Sequence, residues 1–207
     1  MVDFKPTKEL LCIYDSVRDL RIQEKQFFHS HLTYVNDSAE ITQYFETAPY
    51  LWHDDVALFE SGRTGKDLVV YRYAEVLLIA AEAIAKTEGV TPEAIGYLAD
   101  VRSRAYWQTD RIEIIAELSG LTEEKFIEQV WIERLRELAL EFKTWTDIQR
   151  TRKFPVTSEE NKGQVEFVDV IGHTSIWGNT FEDKHMLFPI SENEIQRNPN
   201  LSQNSGY

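Results

Sequence analysis

Hydrophobic residues recur at helical spacing along much of the chain. The pattern is clearest over residues 68–88, where apolar side chains recur every three or four residues; they are Val70, Tyr73, Ala74, Leu77, Leu78, Ala81 and Ala85. Gly89 suits the end of this helix, because glycine adopts a positive φ without steric cost. Thr91, Pro92 and Glu93 then favour a new helix start, with an N-cap oxygen, a first-turn proline and an acid at the positive dipole end. The buried face of this second helix is predicted to be Ala94, Ile95, Leu98, Val101 and Ala105.

Three further segments carry helical signals. Residues 7–20 have Thr7 as an N-cap and one apolar face, formed by Leu10, Leu11, Tyr14 and Val17. Residues 122–148 predict one long helix, with Leu121 and Phe126 as a hydrophobic staple at its start. Its apolar positions continue with Ile127, Val130, Trp131, Leu135, Leu138, Ala139, Phe142 and Trp145. A capping box at 191–194 opens a last short helix, which Asn198-Pro199 ends.

The remaining segments lack periodicity. We expect loop-rich regions at 27–66 and 155–186, a helical core at about 68–150 and a packed tail at 187–207, all within a single domain over residues 1–207. The predicted fold class is therefore all-α: mainly helical, with tetratricopeptide-like helix pairs and long irregular loops. We find one such pair, and a lone pair cannot bury both of its faces. The remaining helices or a further N-terminal half must cover it.

Composition narrows the function. The chain is 43% hydrophobic, which is enough for a sizeable core, and carries a formal charge of −13. This charge disfavours a nucleic-acid partner or an anionic membrane surface, whereas neutral ligands such as sugars remain open. The single cysteine, Cys12, excludes an internal disulfide framework.

Leader and anchor signals are not found in the sequence. Leu11 precedes Cys12 where a lipid-anchor motif needs a small residue, and the opening Met1–Pro6 has neither a charged nor a hydrophobic leader region. We expect a soluble chain without a signal peptide or lipobox, although truncation would leave the same sequence.

Three separated segments resemble the SusD/RagB family of outer-membrane nutrient-binding lipoproteins. Residues 71–83, YRYAEVLLIAAEA, are similar to the family's R-Y-A-E-x-L-L-x-x-A-E-A helix, and VRSRA follows at 101–105. Residues 132–150 are similar to E-R-x-x-E-L-x-x-E followed by R-W-x-D-L-x-R, and residues 187–207 to the L-F-P-I-P tail that ends N-P-x-L-x-Q-N-P-G-Y. A further similarity, to Y-x-x-x-D-x-R, lies at 14–21. Because these segments share their order and spacing, the chain is identified as a SusD-like C-terminal domain.

The sequence departs from the family pattern at a few positions. Phe142, Lys143 and Thr144 replace a glycine and the arginine before the tryptophan, and Ser191 and Ser205 replace two prolines. The family's N-terminal half, with its lipidated cysteine and most of its repeat scaffold, has no counterpart, so we expect a truncated member whose end at Gly206-Tyr207 is a natural C-terminus.

No catalytic or metal-binding constellation is found in the sequence. Glu133, Glu137 and Glu141 follow one another at four-residue steps, so they point the same way and cannot flank a glycosidic bond from opposite sides. We expect structural ion pairs with Arg102, Arg104 or Arg150, and the same role for Glu75 and Glu82. The five histidines lack metal-ligand spacing and are expected at the surface. No cofactor fingerprint is present either.

Aromatic residues in the loops are the candidate binding groups. A pyranose ring needs a flat aromatic face together with polar groups for its hydroxyls. Loop-borne Tyr50, Trp52, Trp107 and Trp177 could supply that face, with Asn179 beside the last; packing is the alternative role for each. Trp131 and Trp145 are expected in the core.

The resemblance implies a surface glycan-binding protein rather than an enzyme. A family member would bind an oligosaccharide or other nutrient at the cell outer membrane and hand it to a SusC-like TonB-dependent transporter. The alternative is a helical-repeat module that contacts proteins and binds no sugar. A hydrolase would require glycan turnover that is sensitive to Glu137→Gln.

Overall fold

The fold is mainly helical, in two compact units. A computed structural model describes residues 5–36 and 38–207; residues 1–4, on which part of the leader prediction rests, and residue 37 lie outside it. Unit 1 comprises residues 1–144 and 157–165, and unit 2 comprises residues 145–156 and 166–207. The single domain over residues 1–207 remains a prediction.

Unit 1 contains five helices and one long β-hairpin among its described residues. The helices are α1 (Lys8–Cys12), α2 (Tyr73–Glu88), α3 (Pro92–Ala105), α4 (Arg111–Ser119) and α5 (Glu123–Glu137). The hairpin strands are β1 (Phe28–Asn36) and β2 (Ala39–Pro49). Short turns of 3-10 helix and π-helix lie at Leu20–Ile22 and Ala57–Ser61.

The α2–α3 pair forms as its sequence predicts. Gly89 ends α2 with φ +83°, and the Thr91 hydroxyl accepts a hydrogen bond from Ala94 N ahead of Pro92. The predicted buried face of α3 is buried, and it packs with α2, α4 and α5 around Leu78, Leu98, Ile114, Phe126 and Val130. The helix pair is confirmed, whereas its tetratricopeptide-like character remains a prediction.

Two helix boundaries differ from expectation, and one further helix was not predicted. The helix predicted over 7–20 stops at Cys12, because the Asp15 carboxylate accepts hydrogen bonds from Val17 N and Arg18 N and favours a turn. The helix predicted over 68–88 begins only at Tyr73, which leaves Val70 and Tyr73 exposed. Helix α4 was not predicted.

The long helix predicted over 122–148 is interrupted. Helix α5 ends at Glu137, and α6 (Thr144–Thr151) begins after a turn in which Leu140 and Phe142 have φ of +66° and +60°. Left-handed backbone cannot continue a right-handed helix, so the single helix is wrong.

The all-α class also needs correction, since the structure contains two antiparallel hairpins and is about 43% helical and 15% strand. Within the loop-rich region 27–66, β1 pairs with β2 from Phe28 opposite Pro49 to Asn36 opposite Ala39, with an irregularity between His29 and His31. These strands lack a clear alternation of polar and apolar residues, because most of the hairpin is exposed and its buried face is short.

Unit 2 contains α6, a short hairpin and the C-terminal tail. Strands β3 (Lys153–Val156) and β4 (Glu166–Asp169) pair within a region that was expected to be irregular. Ile148, Val170 and Met186 form its core with Trp145, Phe154 and Phe181. Helix α7 (Glu192–Arg197) is N-capped, as predicted, by Ser191, whose hydroxyl accepts from Glu194 N.

The tail folds back on itself. The Gln203 side chain accepts from Ile190 N and donates to Ile190 O, both at 2.8 Å, and Asn204 Nδ2 donates to Phe188 O at 2.7 Å. Tyr207 Oη donates to Leu187 O at 3.0 Å. These bonds fix the end of the chain although Leu187 and Phe188 remain exposed.

Candidate functional site

Unit 1 contains an open cleft of about 570 Å³, which we call the Trp52 cleft. Its lining comes from the turn after α1, the segment that follows the hairpin, the approach to α2, and the ends of α3 and α5. The lining residues are Leu20, Arg21, Gln26, Phe27, Leu51, Trp52, Lys66, Asp67, Val69, Arg72, Arg104, Ala105, Glu137 and Glu141.

The apolar wall of the cleft is formed by Phe27, Leu51 and Trp52. Tyr50 N and Leu51 N both donate to Phe27 O, at 2.7 and 3.3 Å, and this holds the end of the hairpin against the residues that precede β1. Trp52 is half-buried and borders the open space of the cleft, and the backbone turn from Tyr50 to His53 fixes its position in the chain. An aromatic face held in this way offers a flat surface at low entropic cost.

The floor of the cleft is charged and internally paired. Glu137, fully buried near the end of α5, accepts from Arg21 at 2.9 Å, from Arg72 at 2.5 Å and from Arg104. Glu141 accepts from Arg72 Nε at 2.9 Å. Burial opposes the charge on Arg72, but its bonds to these two carboxylates raise its pKa above the ordinary value.

Behind the floor lies a second layer of buried charges. Arg21 bridges Asp19 and Glu133 at 2.8 Å each, and Arg102 Nε donates to Glu133 at 2.8 Å. Burial disfavours ionised Glu133, but Arg21, Arg102 and Arg136 outweigh it and lower its pKa to about 2. Glu133 therefore stays ionised at neutral pH, and its ion pairs support the cleft floor from behind.

The carboxylates that a search for glycosidase chemistry would select are held in ion pairs. Glu133 pairs with Arg102 and Glu137 with Arg104, as predicted, whereas Arg150 pairs with Asp147 instead. Away from the cleft, Glu75 lies 3.0 Å from Lys143 and Glu82 lies 2.7 Å from Lys86. A carboxylate that pairs with guanidinium groups is a poor general acid, because their positive charges favour its deprotonated form.

Histidines do not form a metal site in the described part of the chain, where no group of three potential ligands converges. His29 was expected at the surface but is only 6% exposed, because Phe45, Tyr50 and His53 surround its ring. No helix of the described residues is long and apolar enough to span a bilayer.

The four predicted aromatic residues do not converge on one surface. Trp52 lines the cleft, while Tyr50 stacks on His53 with ring centroids 4.8 Å apart. Trp107 is 58% exposed after α3 and does not line the cleft, and Trp177 is 80% exposed on a unit 2 turn with Ser175 N bonded to Asn179 O. Half-buried Trp131 packs against the unit 1 core and Trp145 against that of unit 2, as expected.

Several cleft residues were not predicted from sequence. Gln26, Lys66 and Asp67 are exposed at the cleft, and Arg21 lies beneath it. Arg21 could have been found from the similarity at 14–21, since Tyr14, Asp19 and Arg21 are all buried. The exposed polar residues carry no local pattern that marks them.

The sequence is similar to those of SusD proteins. A sequence model of the SusD family matches residues 23–207. SusD-like protein P2 of Formosa agariphila is 30% identical over 159 residues, which is 71% of this chain and 28% of that protein.

Solved structures show the same fold. A SusD superfamily protein from Parabacteroides distasonis is 32% identical and superposes with a TM-score of 0.81, over 98% of this chain and 42% of its own. NanU of Bacteroides fragilis is 19% identical and superposes with a TM-score of 0.58, over 96% of this chain and 38% of its own. The chain thus spans less than half the length of these relatives.

Proposed function

Because this chain belongs to the SusD family, we propose that it binds a glycan or a related nutrient and that the Trp52 cleft is the binding site. The observation that carries the proposal is the half-buried Trp52 indole beside exposed polar groups of Gln26, Lys66 and Asp67. An aromatic face covers the apolar side of a sugar ring while amide, ammonium and carboxylate groups meet its hydroxyls. The cleft volume of about 570 Å³ lies within the range typical of ligand sites.

Binding without turnover is part of the proposal. The buried carboxylates of the cleft floor are committed to arginines, so they support the floor rather than proton transfer. Exposed Arg104 retains donors beyond its bond to Glu137, and these could reach a ligand hydroxyl.

We further propose that the protein acts at the outer membrane with a SusC-like TonB-dependent transporter. The family resemblance supports this partner, and the acidic surface fits a neutral oligosaccharide better than a nucleic acid. Tyr50, Trp107 and Trp177 stay candidate contacts, with Trp107 and Trp177 offering separate exposed platforms.

The test is a glycan array followed by calorimetry on any glycan it identifies. We expect Trp52→Ala to weaken binding by at least about tenfold, or about 1.4 kcal/mol. Trp107→Ala tests the second exposed aromatic platform of unit 1, which does not line the cleft, and it should leave binding unchanged if the ligand occupies the cleft. If Trp177→Ala abolished binding while Trp52→Ala left it intact, the site would lie in unit 2 and the cleft assignment would be wrong.

One observation favours the alternative of a protein-interaction module. The outer face of α2 exposes Tyr73, Val76 and Ile79, and the preceding segment exposes Leu68, Val69, Val70 and Tyr71. Continuous exposed apolar surface of this kind is typical of protein contacts.

Val76→Glu with Ile79→Glu would abolish co-purification with a SusC-like transporter if this face binds it, and Ile112→Glu on α4 is the control. Transporter binding without any glycan binding would favour the alternative.

A further inference from the structure

An aromatic cluster buried at the base of the hairpin supports the loop that carries Trp52. We call it the His29 cluster: His29, Phe45, Tyr50 and His53. The His29 ring meets Phe45, Tyr50 and His53 at centroid distances of 4.9, 5.0 and 5.5 Å, and Tyr50 stacks on His53 at 4.8 Å with planes 15° apart. The cluster joins β1 and β2 to the first residues after the hairpin.

Trp52 lies between two members of this cluster in sequence. His53 N donates to Tyr50 O at 2.8 Å and closes a tight turn around Leu51 and Trp52. Lys66, which lines the cleft, donates to His53 O. The backbone on both sides of Trp52 thus belongs to residues that pack on His29.

His29 is poorly placed to carry a charge. Its side chain is 94% buried, and among the described residues none offers Nδ1 a hydrogen bond. The nearest carboxylates are occupied: Glu24 accepts from Ser30 and pairs with His31 at 3.2 Å, and Asp55 pairs with His53 at 2.8 Å. Burial lowers the pKa of His29 below 6.5, His53 lowers it further, and Glu24 opposes the shift.

We propose that the His29 cluster is a pH-sensitive support that positions Trp52 in the cleft, with neutral His29 holding the loop and protonated His29 releasing it. A proton on His29 would place a positive charge among Phe45, Tyr50 and His53. Glu24, which already accepts from Ser30 and pairs with His31, offsets this charge only in part, so the ring would leave the cluster. The inference rests on the proposed role of Trp52 as the face that meets the ligand. His29 itself acts as a positioning residue.

The pH window follows from the depressed pKa. Above the ordinary histidine value of 6.5, His29 is neutral in both the closed and the released loop, and pH has no effect through this group. Below 6.5 the released form binds the proton more readily, so the closed form loses population as the pH falls. Acidification therefore withdraws Trp52, and a return to neutral pH restores it.

The experiment follows Trp52 directly and needs no glycan, so its outcome is independent of whether the proposed ligand class is right. The chain is labelled with 5-fluorotryptophan, and Trp52→Phe identifies one of the five fluorine resonances. We expect the Trp52 resonance to shift or broaden between about pH 7.5 and pH 5, with a midpoint below 6.5, while the Trp107 resonance stays in place. His29→Phe keeps a ring in the cluster and removes the titration, so its Trp52 resonance should not change over this range.

His173→Gln is the matched control, because His173 also stacks on an aromatic ring, that of Phe154, but is not a member of the cluster. It should retain the wild-type profile. The proposal is overturned if Trp52 does not respond to pH in the wild type, if His29→Phe keeps the full response, or if His173→Gln removes it. If a variant fails to fold, the wild-type titration still shows whether the Trp52 resonance responds to pH, and no response overturns the proposal.

Discussion

Glu137 is the central acceptor of the charges beneath the Trp52 cleft. It is fully buried, and it joins Arg21, Arg72 and Arg104, which come from three different parts of unit 1. Buried ion networks of this kind add little to stability as a whole, because desolvation offsets much of the attraction. Removing one member is costly, since it leaves the others buried without a counter-charge.

Glu137→Gln should therefore destabilise the protein by about 3 kcal/mol or more. Urea unfolding followed by circular dichroism measures this, and Glu88→Gln, at an exposed position at the end of α2, should change stability by less than about 0.5 kcal/mol. Equal effects of the two substitutions would show that the Glu137 network does not support the fold. Glycan turnover lost in Glu137→Gln would instead indicate an enzyme.

Glu133 gives the network a defined pH dependence. Its pKa is about 2 in the folded chain against 4.5 ordinarily, so its contribution is present above 4.5 and is lost as the pH falls from 4.5 toward 2. The difference corresponds to about 3 kcal/mol. Unfolding free energies measured between about pH 7 and pH 3 should fall less steeply in Glu133→Gln than in the wild type; parallel curves would contradict the assignment.

At the level of single residues, the ion pairing of the carboxylates was predicted from sequence, whereas Trp52 as a ligand contact stays a prediction. Acids at four-residue steps share one helix face and repel one another, so positive groups from other segments must neutralise them. The contacts of Tyr50 and the burial of His29 depend on strand pairing with β2, which local sequence does not encode.

Among the elements, the turn between α5 and α6 explains an unusual family position. Phe142 stands where the family has glycine, and its backbone is left-handed with φ +60° while its side chain is 84% exposed. The phenylalanine strains the backbone without burying its ring, and glycine would adopt the same conformation freely. The prediction of one long helix over 122–148 was wrong because the chain turns at this position, where the family pattern has a glycine.

Phe142→Gly should accordingly stabilise the protein by about 1 kcal/mol. Ile112→Gly, an equally exposed apolar position inside α4, should destabilise it by about 1 kcal/mol, because its backbone is helical. The urea midpoints of both variants provide the measurement. A loss of stability in Phe142→Gly would mean that the ring makes a contact worth more than the strain.

The other elements differ in how clearly the local sequence predicts them. Helices α2, α3 and α7 were predicted because caps, a turn glycine and an apolar stripe agree with one another. Helix α4 was missed because it is only nine residues long, and the β1–β2 hairpin because its stability comes from pairing across the sheet rather than from an apolar face.

For the whole molecule, family membership was predictable because three motifs keep their order over most of the chain, and the match over residues 23–207 confirms it. The fold class was predicted only in part, since two hairpins accompany the helices. The Trp52 cleft could not be predicted from sequence, because its lining comes from segments far apart in the chain that tertiary packing brings together.

We propose that a sugar ring rests on the indole face of Trp52. A crystal structure of the protein with an oligosaccharide identified by array screening tests this contact. We expect a pyranose ring stacked on the Trp52 indole, with hydroxyl groups bonded to Gln26, Asp67 or Arg104. A saccharide ordered elsewhere, with the Trp52 cleft holding only solvent, would contradict it.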